Sequence, residues 1–167
     1  LLYHRNVSTL EAARRYLFLE PDSAPEYELP GLEAALAQIA TYIQNSEPIA
    51  IYGDFDVDGV TATALLTQGL GALGAKTIPY IPARFSEGYG LNSEALTELQ
   101  RRGADLVIAA DCGISSIAEV AHARSLGLDV VILDHHSLPS DLPAASAIVN
   151  PRLTETDHPS HHLSSVG

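Results

Sequence analysis

Short runs of strand type recur along this chain, at Ile49–Tyr52, Thr77–Ile81, Leu106–Ala110, Asp129–Leu133 and Ala147–Val149. Helical patterns separate them, at Val60–Leu73, Asn92–Arg102 and Ser115–Leu126. Leu106–Ala110 is apolar at every position, so it has no solvent face and must be covered on both sides. Strands of that kind joined by helices form parallel sheet, because a parallel pair needs a long crossover, and each crossover is right-handed. The pattern predicts an α/β fold: a mainly parallel sheet of about five strands with helices on both faces.

Two further helices are predicted ahead of the sheet. In residues 9–19, Thr9 can cap, Glu11 sits early, and Leu10, Ala13, Tyr16 and Leu17 recur at helical spacing. In residues 31–45, Leu32, Leu36, Ile39 and Ile43 make one apolar stripe. The intervening EPDSAPEYELP, with three prolines, reads as a connector. The expected organisation is a helical lead-in and linker over 1–30, an α/β domain over 31–153, and a polar tail in loop conformation over 154–167. The sequence holds no repeat and no low-complexity segment.

Composition excludes several classes. A chain of 167 residues with 46% hydrophobic and 18% charged residues can bury one core and is not disordered in character. No apolar run approaches the ~20 residues of a membrane span, so no membrane partner is expected. The opening LLYHRNVSTLEAARR lacks a signal-peptide layout, and the chain contains no methionine, which suggests a fragment whose targeting signals could be missing. A single cysteine, Cys112, cannot form an internal disulfide, consistent with a reducing, cytoplasmic setting. The net charge of −12 argues against a surface that binds nucleic acid non-specifically.

The acids are placed where ligands bind. Asp54, Asp111 and Asp134 each follow a predicted strand at its C-terminal end, the edge at which open α/β sheets hold ligands. Three loops bring acids to that rim: Asp54, Asp56 and Asp58 in GDFDVDG, Asp111 in AADCG, and Asp134 with His135 and His136 in ILDHH. Crowded carboxylates repel unless a cation sits between them. Oxygen and imidazole ligands suit Mn²⁺, Mg²⁺ or Zn²⁺. Asp134 is expected to orient an imidazole by accepting its N–H.

Rival readings of these motifs are weaker. D-x-D-x-D-G also opens a calcium EF-hand, but position 12 is Leu65 where a glutamate is required, and a strand precedes the loop. The phosphate-cradling glycine patterns are absent. Turn and cap chemistry accounts for one aspartate of the three, not for all of them with the histidines. Adjacent histidines on an extended chain point opposite ways, so His135 and His136 could have separate partners. Cys112 has no base beside it in sequence and reads as packing. His158, His161 and His162 read as a polar tail, and His122 as an exposed helix residue.

With these residues in hand, the chain resembles the DHH phosphoesterase superfamily. GDFDVDG, ADCGI and LDHH resemble its successive signatures, and RFSEGYGLN, IVNPR and the opening LLYHRNVSTLEAARRYL and LPGLEAALAQIATYI resemble its RecJ branch. The likeness covers about residues 1–153. It implies a nuclease with two divalent metal ions, Mn²⁺ or Mg²⁺, digesting single-stranded DNA from the 5′ end in DNA repair and recombination. It implies metal ligation by Asp54, Asp56, Asp58, Asp111 and His135, with Asp111 bridging and His136 facing metal or phosphate. In the ARFSEGYGL loop, Arg84 offers a phosphate fork, Gly88 and Gly90 allow close backbone approach, and Tyr89 can stack on a base.

The resemblance also implies a further aspartate ligand beyond the DHH loop and a C-terminal domain that closes over substrate. Neither is in these 167 residues. The chain alone is therefore expected to bind single strands weakly, to be less active than the parent enzyme, and to meet any repair-protein partners through the missing domains. Two alternatives stand beside this reading: a small DHH phosphodiesterase acting on short oligonucleotides or cyclic dinucleotides, and a non-catalytic scaffold that kept the fold.

Overall fold

A computed structural model describes residues 7–18, 29–83 and 88–167. Among them, no helix is long and apolar enough to cross a membrane. Helix α1 (Leu10–Phe18) opens the described chain, and its first turn is held by Thr9, whose Oγ1 accepts from Ala12 N at 3.1 Å. Helix α2 (Leu32–Gln44) follows Gly31, whose φ of 80° is a left-handed conformation. A side chain there would strike the Ile148 carbonyl, so only glycine lets α2 start so close to the sheet.

The sheet comprises β1 (Ile49–Tyr52), β2 (Thr77–Tyr80), β3 (Leu106–Ala110), β4 (Asp129–Leu133) and β5 (Ala147–Val149). Every pairing is parallel and the order is β2-β1-β3-β4-β5. Helices α3 (Val57–Ala72), α4 (Ser93–Arg101) and α5 (Ile117–Ser125) fill the crossovers β1–β2, β2–β3 and β3–β4. The chain leaves β1 toward one side and later returns to β1's other side with β3. That reversal opens a crevice at the carboxyl ends of β1 and β3.

Strand side chains alternate between two cores, as the two-residue period requires. Ala50, Tyr52, Val107, Ala109, Val130 and Ile132 pack with Leu96 and Leu99 of α4 and Val120 and Ala123 of α5. Ile49, Ile51, Leu106, Ile108, Val131 and Val149 pack with Ala35 and Ile39 of α2 and with Leu66 and Leu70 of α3. The sheet is thus covered on both faces. At its amino-terminal edge, Asp129 accepts from Gln38 Nε2 (2.7 Å), the Tyr42 hydroxyl (2.7 Å) and Ser146 Oγ (3.0 Å), tying α2 to β4 and the β5 approach.

Two expectations are corrected locally. Helix α3 starts at Val57, three residues before the apolar pattern begins, because Asp56 caps it. His122 is half-buried, with Nε2 2.9 Å from Thr97 Oγ1, and links α5 to α4. A short 3₁₀ turn at Pro151–Leu153 leads into the tail, which contains another at Pro159–His162, and Ser160 is buried.

Candidate metal centre

The first loop places its three aspartates differently. Asp54 lies two residues past the end of β1 and is buried, with Oδ1 accepting from Phe55 N at 2.8 Å. Asp56 is exposed and caps α3, accepting from Gly59 N at 3.0 Å. Asp58 lies in the first helical turn, half-buried, with Oδ1 accepting from Val166 N at 3.2 Å. Gly59 makes this tight geometry possible. A Cβ there would lie 2.5 Å from Asp54 N and 2.6 Å from Asp54 Cα, so no larger residue lets α3 begin against the end of β1.

At the end of β3, Asp111 has φ of 66°, a left-handed conformation that non-glycine residues rarely adopt. Its backbone N–H still donates to Leu133 O at 2.9 Å, so the ladder holds while the side chain is turned into the crevice. That side chain is only 1% exposed, and Oδ1 is buried with no hydrogen-bond partner among the described residues. Gly113, at φ 104°, completes the turn.

At the end of β4, Asp134 is a hub. Its Oδ1 accepts from His135 N (2.8 Å), His136 N (3.2 Å) and His136 Nδ1 (2.7 Å), and its Oδ2 accepts from Ile114 N (3.0 Å). With Nδ1 donating, His136 keeps Nε2 as its acceptor, 3.1 Å from the Tyr89 hydroxyl. The two histidine rings lie side by side, centroids 4.6 Å apart. Adjacent residues here do not point opposite ways, because the Asp134 carboxylate folds the backbone back over itself.

The loops converge. Ligand atoms of Asp54, Asp56 and Asp111 lie within 4.8 Å of one another, and so do those of Asp111, His135 and His136. Asp111 belongs to both groups. His135 Nε2 is 3.2 Å from Asp111 Oδ1 and 3.7 Å from Asp58 Oδ2. Asp58 is in neither group, but shares His135 with Asp111.

The electrostatics follow from this crowding. Burial pushes the Asp111 carboxyl up to about 6, and the nearby Asp58 and Asp56 charges push the same way. Ser165 and His135 partly offset them. An orphan carboxylate oxygen, more acids beside it and an imidazole nitrogen facing it together form a donor set for a hard or borderline divalent cation. The residues present fit such an ion.

Gly88 and Tyr89 are exposed, Gly90 is buried, and the Gly90 carbonyl accepts from the Tyr52 hydroxyl at 3.1 Å, which fastens this loop to the end of β1. The Tyr89 ring meets His136 edge-on, centroids 5.7 Å apart. Arg84 lies outside the described residues. His158, His161 and His162 enter neither acid group. His158 Nδ1 instead accepts from Ser160 N at 3.1 Å.

Sequence reasoning assigned no role to Asn150 or Arg152, which brace the histidines. Asn150 is fully buried, its Nδ2 donates to His136 O at 3.1 Å and its Oδ1 accepts from Arg152 N at 2.8 Å. Arg152 Nε donates to His135 O at 2.8 Å. The signal available was IVNPR, a polar pair placed directly after a strand on the same rim.

Comparison with known proteins adds four findings. A sequence model of the DHH family, N-terminal domain, matches residues 48–167. The chain is 40% identical, over its whole length, to 21% of the single-stranded-DNA-specific exonuclease RecJ of Bacillus subtilis. It is 46% identical, over 86% of its length, to 25% of the Escherichia coli exonuclease of the same name. The crystal structure of an exonuclease RecJ bound to manganese superposes on 83% of this chain and 35% of its own, with a TM-score of 0.75 and 36% identity. The chain thus spans a fifth to a quarter of the length of these curated relatives.

Proposed function

The chain belongs to the DHH family, and from that premise we propose that it is the catalytic portion of a RecJ-type exonuclease. It hydrolyses phosphodiester bonds of single-stranded DNA from the 5′ end, in DNA repair and recombination, with two divalent cations, Mn²⁺ in preference to Mg²⁺. The observation that carries this is Asp111: a buried carboxylate, with an orphan oxygen, common to two ligand groups at one crevice.

Asp54, Asp56 and Asp111 would hold one cation and Asp111, His135 and His136 the other, with Asp58 completing the set through its approach to His135. Two cations bound there supply positive charge to the phosphoryl oxygens and make a nearby water a better nucleophile. The chain's own residues do the rest. Asp134 fixes the tautomer of His136, so Nε2 presents a lone pair to the crevice. Asn150 and Arg152 hold the carbonyls of both histidines and keep the rings side by side. Tyr89 stands at the rim beside His136, where a base can stack on it.

With a net charge of −12, this chain binds single strands weakly by itself, and DNA affinity and repair-protein contacts reside in the remainder of the relatives' length. We place the protein in the cytoplasm, consistent with its one buried free cysteine. The test is release of nucleotides from a 5′-labelled single strand with Mn²⁺, beside a dinucleotide and a cyclic dinucleotide. Faster turnover of the long strand is expected. Turnover of the small substrates alone would favour the small-phosphodiesterase reading, and no turnover with no bound metal would favour a scaffold.

A further inference from the structure

Arg152 is held at several points for a residue on the surface. Asn150 Oδ1 accepts from its backbone N–H at 2.8 Å, and Pro151 fixes the backbone just ahead of it in the 3₁₀ turn. Its Nε donates to His135 O at 2.8 Å. A guanidinium carries five N–H donors, and this bond uses the one on Nε. The residue is exposed, so the fork of Nη1 and Nη2 is open to a ligand. Bracing one carbonyl takes one donor and does not take a planar fork.

Its place in the fold bears on what that ligand is. Lys76 precedes β2, Arg101 ends α4 and Arg124 lies in the last turn of α5. In a parallel sheet with helical crossovers those positions fall at the amino-terminal edge. Arg152 follows β5, at the carboxyl-terminal edge that carries the acids. His135 lies between it and the metal centre, its carbonyl on Arg152 and its Nε2 3.2 Å from Asp111 Oδ1. The carboxylates of Asp58, Asp111 and Asp134 face the two histidines, while Arg152 is set on a neutral carbonyl. A planar cationic fork of fixed orientation matches the oxygens of a phosphate. A nucleic-acid strand carries phosphates in series.

Resting on the nuclease reading above, we propose that Arg152 binds the phosphate next to the one under attack. The cations take the reacting phosphate, and Arg152, one residue further out, takes its neighbour. Arg152 is thereby a substrate-binding residue that sets the register of the strand on the metal centre and selects substrates with successive phosphates.

The experiment is a binding titration of fluorescent, phosphorothioate-linked single strands with the unsubstituted chain, Arg152→Ala, Arg152→Lys and Arg101→Ala. In EDTA, Arg152→Ala should lower the slope of log affinity against log salt by about 0.7, the share of one phosphate on a single strand. Arg152→Lys should keep the slope, because it gives up the fork and retains the charge. Arg101→Ala removes an equal charge beside Glu98 at the opposite edge, and should keep the slope too. With Mn²⁺, each linkage in turn is replaced by a neutral methylphosphonate. Two adjacent positions should each weaken binding roughly tenfold, and Arg152→Ala should erase one of them and leave the other. Equal losses for the alanine and lysine variants with both positions still sensitive, as a residue that only braces the loop would give, overturn the assignment. So does a slope lowered equally by Arg101→Ala. Calorimetry with Mn²⁺ separates this from the nuclease reading: absence of metal binding by the unsubstituted chain counts against the metal centre, while the salt slope in EDTA still tests Arg152.

Discussion

His135 Nε2 lies 3.2 Å from Asp111 Oδ1, an oxygen that is buried and makes no hydrogen bond among the described residues. A lone pair on that nitrogen and a charge on that oxygen repel each other, so the pair needs a proton or a cation between its members. Asp111→Asn removes the charge and keeps the shape. Asparagine also tolerates the left-handed backbone of this position, so the fold should survive. Metal-free, the variant is expected to melt above the unsubstituted chain at pH 8. Mn²⁺ should raise the melting temperature of the unsubstituted chain and leave that of the variant nearly unchanged. Scanning calorimetry with and without Mn²⁺ reads both.

The same carboxyl sets a pH dependence with an uncommon sign. Its folded-state pKa is raised, from 3.8 to about 6. Between those values the folded chain holds a proton that the unfolded chain has released, so stability falls as pH rises through that window. The penalty is absent below 3.8 and complete above about 6. Two units correspond to about 3 kcal/mol at most. The melting-temperature gap between Asp111→Asn and the unsubstituted chain, both metal-free, should widen from pH 4 to pH 7. A gap independent of pH would count against it.

Gly59 offers a test in which local propensity and packing disagree. Alanine is the better helix former by about 1 kcal/mol, so propensity alone says that Gly59→Ala stabilises α3. The added methyl, however, would sit 2.5 Å from Asp54 N and 2.6 Å from Asp54 Cα. The expected result is destabilisation by about 2 kcal/mol or more, with a loss of metal affinity as Asp54 is displaced. Urea unfolding and Mn²⁺ calorimetry on the same sample report the two effects.

Asn150 acts on the histidines through the backbone. Replacing it with alanine frees the His136 carbonyl and Arg152 N–H in a buried place, at a cost of about 1–3 kcal/mol. Loosening the DHH loop should weaken Mn²⁺ binding by roughly 10–100-fold, the usual effect of losing a group that orients ligands. Unchanged metal affinity at reduced stability would make Asn150 a fold residue only.

Much of the fold was legible in the sequence because the strands are buried on both faces. Leu106–Ala110 and Asp129–Leu133 carry the pattern at nearly every position, and their bounds in the structure match it. Helix starts were less legible. α3 begins directly after Asp56, whose carboxylate serves both as cap and as neighbour of Asp111, and sequence alone cannot divide those duties. Strand order brings the loops after β1, β3 and β4 to one edge, so their meeting could be anticipated. The side-by-side histidine rings could not, since they depend on Asp134 receiving four hydrogen bonds.

The central claim is that divalent cations reconcile these acids, and anomalous scattering from Mn²⁺-soaked crystals tests it most directly. Two peaks are expected in the crevice, both within coordination distance of Asp111, one shared with Asp54 and Asp56 and the other with His135. An empty crevice, or manganese confined to the histidines of the tail, would contradict it.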